Sequence, residues 1–154
     1  MALAAESSTF FGELLQELNH FQTNPVSVDF IRLKSYVDSD STGEVKILQQ
    51  VDYSTWADQH VLIVEDIVDT GKTMLKLLDL MQNCPTPPRE VRVVSLVLKR
   101  TSRNTGGYRP DYVGFEIPDR FIVGCAFDFN ERFRDLTHVC VPNLEKIQKY
   151  SIKP

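Results

Sequence analysis

The stretch from His60 to Leu98 constrains the fold more than any other part of the chain. Val61-Leu-Ile-Val64, inside His60 to Glu65, is a short apolar run without polar alternation, the pattern of a strand buried on both faces. Polar and small residues follow from Asp66 to Lys72, and Met74, Leu75, Leu77, Leu78 and Met81 then recur at helical spacing. Cys84-Pro-Thr-Pro-Pro88 breaks that helix, since a proline lacks the N–H a helix needs and restricts the residue before it. Val91 to Leu98 is a second strongly apolar strand. Strand, loop, helix, strand is a βαβ unit. It predicts an α/β fold with a mostly parallel sheet flanked by helices and binding loops at the carboxyl ends of the strands.

The flanking sequence extends this pattern. Phe10, Phe11, Leu14, Leu15, Leu18 and Phe21 predict a helix as the first element, with Ser7, Ser8 and Thr9 available to cap it. Pro25 stops it, and Val26, Val28 and Phe30 alternate with Ser27 and Asp29 as a strand does. Lys34 to Glu44 is polar and reads as a surface loop, and Arg100 to Pro110 as a Gly- and Arg-rich one. Phe121 to Val123 and Val139 to Val141 are further short strand candidates. No repeat or linker interrupts residues 1–154, which are expected to form a single domain.

Composition narrows the function classes. The 154 residues carry a net charge of -4, which argues against nonspecific nucleic-acid binding. The longest apolar runs fall far short of the roughly 20 residues that cross a bilayer, and the first residues lack the basic flank and apolar region of a signal peptide. Cys84, Cys125 and Cys140 form an odd set without metal-ligand or disulfide spacing, which suits a cytoplasmic setting. His20, His60 and His138 have no metal-ligand spacing, and Trp56 is expected to be packing.

Chemistry concentrates in Glu65-Asp66-Ile67-Val68-Asp69-Thr70-Gly71-Lys72-Thr73, between the buried strand and its helix. Backbone N–H groups at a helix start, a glycine that permits close approach and the Thr70 and Thr73 hydroxyls suit a phosphate. Carboxylates beside a bare phosphate are unfavourable unless they face ribose hydroxyls, Mg2+ or a ring nitrogen. The alternative is that Asp66, Asp69 and Thr70 only cap the helix and favour its dipole. A triphosphatase P-loop is rejected, because that pattern needs a glycine where Asp66 stands.

Val61 to Met74 resembles the phosphoribosyl-diphosphate (PRPP) motif of the type I phosphoribosyltransferases. Val28 to Tyr36, Leu98 to Thr101, Tyr108 to Asp119 and Phe133 to Leu136 are similar to the hypoxanthine-guanine branch of that family, and the similarity runs from about Phe10 to Val141. The resemblance implies purine salvage: transfer of the phosphoribosyl group from PRPP to hypoxanthine or guanine, giving IMP or GMP and pyrophosphate. It implies Glu65 and Asp66 at the ribose hydroxyls and, with Asp128, at Mg2+, and Asp69 at purine N7 as general base. Ile67 and Val68 complete the motif, and Thr70, Gly71, Lys72 and Thr73 would wrap the 5'-phosphate. Lys99 would donate to O6, which disfavours an adenine amino group. Phe121 would stack on the purine, the Ile122 backbone beside Arg120 would read its edge, and Arg134 would contact pyrophosphate. Ser35 and Tyr36 would lie in a closing loop. The family also implies a homo-oligomer.

Members of that family are longer at the N-terminus. The resemblance therefore implies a sheet lacking their N-terminal strands, with an open edge. Where they carry a Leu-Lys-Gly loop for pyrophosphate, this chain has Ala4-Ala5-Glu6. A carboxylate there would repel pyrophosphate unless Mg2+ intervened. An alternative reading is a truncated or divergent paralog that binds nucleotide, or joins a full-length partner, without turnover.

Overall fold

The computed structural model describes residues 1–4, 9–21, 24–31, 33–35, 45–47 and 52–151. The chain forms two compact units, Met1–Ile117 and Pro118–Pro154. In chain order the elements of the first are β1 (Ala2–Ala4), α1 (Thr9–Phe21), β2 (Val28–Phe30), β3 (Leu33–Ser35), β4 (Val45–Ile47), a 3-10 turn (Tyr53–Trp56), β5 (His60–Val68), α2 (Lys72–Asn83), β6 (Glu90–Arg100) and β7 (Tyr112–Pro118).

The main sheet has the order β2-β1-β5-β6-β7, and the β1–β2, β1–β5 and β5–β6 pairs are parallel. This is the expected α/β architecture, and the βαβ unit is β5-α2-β6. Strand β5 lies inside the sheet, so both its faces need cover. Val61 and Ile63 pack with Met74, Leu77 and Met81 of α2. Leu62 and Val64 point the other way, into a cluster with Phe11, Leu14 and Leu15 of α1. The alternation of a strand and the stripe of two amphipathic helices thus build three layers from one central run. Trp56 is 1% exposed and packs edge-on against Tyr53, a packing role as expected.

Several elements differ from the sequence reading. The first element is β1, not a helix: residues 2–4 sit between β2 and β5, and β2 is at the sheet edge among the described residues. Three residues are too few to show a period. Strand β5 runs three residues past Glu65, because its pairing with β6 continues to Val68, and Lys99 and Arg100 belong to β6. Lys34 and Ser35 lie in β3, which pairs antiparallel with β4, rather than in a loop. Strand β7 was not anticipated. Its burial does not alternate, and Tyr112 and Phe115 are exposed. Residues 7 and 8, offered as helix caps, and 36–44 of the expected surface loop lie outside the described residues.

At the amino ends of the strands, ionic hydrogen bonds tie β5, β6 and the start of β7 together. His60 Nδ1 is 2.9 Å from Glu90 Oε2, Arg92 Nε donates to Glu90 Oε1 at 2.9 Å, and Arg92 Nη1 donates to Asp111 Oδ1 at 2.8 Å. Asp111 Oδ2 in turn accepts the Val93 N–H at 2.8 Å. Partial burial works against the Asp111 charge, but the Arg92 and Val93 donors outweigh it and hold the carboxyl below its ordinary range.

In the second unit, α3 (Leu144–Ile147) is capped by the Asn143 side chain, which accepts the Lys146 N–H. The two strand candidates reduce to a single antiparallel bridge, Val123–Cys140. The backbone between them turns too often for a strand: Cys125, Ala126, Asn130, Glu131 and Phe133 all have positive φ.

Ile63 is fully buried at the centre of the sheet. Ile63→Ala should destabilise the protein by about 2–5 kcal/mol in denaturant unfolding. Phe21→Ala, at a side chain 84% exposed, should stay within about 0.5 kcal/mol of the parent.

Candidate phosphate and purine site

The register of β5 and β6 creates the site. Their last rung pairs Val68 with Leu98, so Asp69 and Lys99 leave the ladder side by side. Lys99 Nζ lies 3.6 Å from Asp69 Oδ2, and the Lys99 side chain is only 11% exposed. Burying that ammonium requires a counter-charge, and Asp69 supplies it. Asp69 is shared with a residue not anticipated from the sequence: Arg103 Nη2 donates to both Asp69 oxygens at 3.0 Å. Arg103 lies in the Gly- and Arg-rich loop, whose composition was noticed, but a pairing across 34 positions leaves no local pattern.

The turn after Asp69 is built for close approach. Gly71 is the N-cap of α2 with φ 73°, a left-handed conformation that a side chain disfavours. A Cβ there would stand 2.7 Å from Tyr108 Cβ, so the tyrosine is seated directly on the glycine. Gly71 has no side chain with which to cap α2. Thr70 Oγ1 approaches the Lys72 N–H only at 3.4 Å, and Leu75 N–H is the donor to Gly71 O at 3.0 Å. Of Asp66, Asp69 and Thr70, the residues of the capping alternative, Thr70 has an oxygen that reaches a first-turn N–H, while the Asp69 carboxylate is engaged by Lys99 and Arg103 instead.

Glu65 lies in β5 as expected, and Asp66, Ile67 and Val68 are its closing residues rather than loop residues, with Val68 in the core and the other three half-buried. Among the described residues, no group of three or more His, Cys, Asp or Glu side chains is arranged to hold a metal ion by itself. Ser35 is described only as the last residue of β3, and Tyr36 lies outside the described residues. Ala4 ends β1, and residues 5–8, including most of Ala4-Ala5-Glu6, also lie outside them.

Within the second unit, Asp128 and Arg134 are brought together as an ion pair at 2.9 Å. Asp128 also accepts the Glu131 N–H at 2.7 Å, and Arg134 donates to the Ala126 carbonyl at 3.2 Å. Phe121 is 40% exposed and meets Phe129 edge-on, with centroids 5.8 Å apart. Ile122 is buried beside the exposed Arg120. Phe121 thus offers an open aromatic face, and Ile122 is fixed by its side chain.

Comparison with known proteins gives this arrangement a class. The phosphoribosyl transferase domain family matches residues 1–130. The chain therefore belongs to the phosphoribosyl transferase family, in its hypoxanthine-guanine branch. It is 53% identical to the hypoxanthine-guanine phosphoribosyltransferase of Rattus norvegicus over 146 residues, which is 92% of this chain and 66% of the relative. It is 53% identical to that of Homo sapiens over 137 residues, 86% of this chain and 62% of the relative. The chain thus spans a little under two thirds of the length of these relatives. A solved hypoxanthine phosphoribosyltransferase from Trypanosoma cruzi, in complex with the product IMP, superposes with a TM-score of 0.80 at 32% identity, covering 94% of this chain and 75% of that one.

The Tyr108 hydroxyl is buried with no hydrogen-bond partner among the described residues. Burial, aided by the Asp111 and Glu65 charges, pushes its phenol up to about 12 from an ordinary 10.0. The folded state thus holds this proton where the unfolded chain releases it. The Tyr108 contribution to stability is complete below pH 10.0 and is lost as pH rises through about 12. Ultraviolet titration should show a late phenolate component that Tyr108→Phe removes. Gly71→Ala should destabilise the fold by at least about 1–2 kcal/mol from backbone conformation alone, read as a lowered denaturant midpoint.

Proposed function

We propose that the chain acts in purine salvage, moving the 5-phosphoribosyl group from PRPP to hypoxanthine or guanine and releasing IMP or GMP and pyrophosphate. The observation that carries this reading is the Asp69–Lys99 pair, a carboxylate and an ammonium 3.6 Å apart beside a helix start whose N-cap is a glycine. N7 and O6 of a 6-oxopurine are neighbours on one edge of the base. A carboxylate can take the N7 proton while the ammonium donates to O6; adenine presents a donor at the second position, and two donors oppose each other.

On this reading Asp69 is the general base that manages the N7 proton as a ring nitrogen attacks C1 of PRPP. The N–H groups and hydroxyls of Thr70, Gly71, Lys72 and Thr73 bind the 5'-phosphate, with Ile67 and Val68 anchoring that turn in the sheet. Glu65 and Asp66 orient the ribose through its hydroxyls. Phe121 stacks on the base, the Ile122 backbone beside Arg120 reads its edge, Arg134 contacts pyrophosphate, and Ser35 and Tyr36 belong to the segment that excludes water.

The carboxylates fit magnesium, which is commonly held by one or two carboxylates and otherwise by water and substrate phosphates; Glu65 and Asp66 of the first unit, or Asp128 of the second, would be its protein ligands. When bound, the ion would neutralise charge building on the departing pyrophosphate. Residues 1–154 act together as one phosphoribosyltransferase domain, and the family resemblance favours a cytoplasmic homo-oligomer.

The test is nucleotide formation by the purified chain with PRPP, Mg2+ and hypoxanthine or guanine, followed through pyrophosphate release. General-base help is worth about 100- to 10,000-fold, so Asp69→Asn should lower kcat by that range. Nucleotide binding without pyrophosphate release would contradict the transferase reading, and wild-type turnover in Asp69→Asn would remove Asp69 from its role.

A further inference from the structure

The loop that carries Asp69 is braced by one short stretch that follows β6, from Thr101 to Tyr108. The Thr101 hydroxyl accepts both the backbone N–H and the Nε–H of Arg103 at 3.2 Å, which fixes the root and the inner nitrogen of that side chain on one point. From there Nη2 reaches both oxygens of Asp69 at 3.0 Å. The remainder of the stretch is closed by Asn104, whose amide donates to Tyr108 O at 2.7 Å and whose carbonyl oxygen accepts Tyr108 N–H at 3.0 Å. Tyr108 then seats on Gly71, two residues after Asp69.

A donor equidistant from both carboxylate oxygens sits between them. It restrains rotation of the carboxylate and leaves the outer lone pairs open, since an ionised carboxylate has about four acceptor sites. Lys99 cannot do the same. Its Nζ stands 3.6 Å from Asp69 Oδ2, beyond a good hydrogen bond.

We infer that Arg103 is a positioning residue that aims the Asp69 carboxylate at the purine N7 by holding its inner edge. This rests on the reading of Asp69 as the group that faces N7. Arg103 itself would touch neither substrate nor reacting atom. Its effect is orientation, and misplacement of a reacting group by about 1 Å can cost 100-fold in rate.

The test compares the parent with Arg103→Met, which keeps an unbranched stem but loses the donors, and Arg103→Lys. Because a single nitrogen bridges the carboxylate, lysine can supply it and should rescue. Arg103→Met should lower kcat with hypoxanthine by about 10- to 100-fold, while KM for PRPP stays within about twofold. Arg103→Lys should recover most of kcat. A parallel rise in KM for PRPP, or failure of lysine to recover any of the loss, would overturn the positioning role in favour of general loop damage.

Amide hydrogen exchange at Asp69 and Thr70, in the ligand-free chain, separates this inference from the function it rests on. Exchange should quicken in Arg103→Met and not in Arg103→Lys, with an unchanged melting temperature showing that both fold. If the parent fails to make nucleotide, the transferase reading falls and exchange still decides whether Arg103 holds Asp69. Unaltered exchange in Arg103→Met would overturn the inference whatever the turnover.

Discussion

The parallel ladder between β5 and β6 is the constraint on which the rest depends. It runs from His60 opposite Glu90 to Val68 opposite Leu98 in one register. The same register sets two unrelated things. It directs Val61 and Ile63 to α2 and Leu62 and Val64 to α1, closing the core on both sides. It also delivers Asp69 and Lys99 to the carboxyl end of the sheet as neighbours. A slip of one residue would expose the apolar faces and separate the charges together, so stability protects the geometry of the site. Chemistry placed just past the end of a buried ladder inherits the ladder's rigidity, which sites on free loops lack.

Beyond the ladder the charges are balanced locally. Asp69 stands between Lys99 and Arg103, and Asp128 is held by Arg134 and a backbone N–H. In the proposed reaction these partners become available to ligand charge as it arrives. A 6-oxopurine takes the Lys99 ammonium through O6 while N7 engages Asp69, so the base replaces one half of an existing pair rather than entering an uncompensated field. Asp69 would keep Arg103 throughout, which is why the arginine can orient it without competing for the same lone pairs.

How much could be read from the sequence follows from how local each cause is. The run Val61 to Val64 and the stripe Met74, Leu77, Met81 are caused by burial within single elements, and both were legible. Strand β1 was not, because three alanine- and leucine-type residues carry no period and are fixed by neighbours far along the chain. Strand β7 was hidden by its exposed edge position and by Gly114, whose close approach to the Leu96 carbonyl needs the absence of a side chain rather than a hydrophobic one. In the site, Asp69 and Lys99 were found through a motif and a resemblance. Arg103 and Tyr108 were not assigned roles, since their contacts with Asp69 and Gly71 join stretches that only the β5–β6 pairing brings together. Asp128 was assigned to Mg2+ through the resemblance. It has a partner in Arg134 that lies on the far side of a turn of positive φ, a geometry that non-glycine residues rarely signal.

On the proposed function, one buried cation and its neighbouring carboxylate select a 6-oxopurine edge. The most direct measurement is calorimetric titration of the wild-type chain with IMP and with AMP, which share the ribose 5-phosphate and differ at position 6 of the base. An opposed or unpaired buried polar group costs about 1–3 kcal/mol, so IMP should bind more tightly by about 5- to 150-fold. Equal affinities, or tighter binding of AMP, would contradict the assignment of Lys99 and Asp69 to the purine and leave the loop as a phosphate site only.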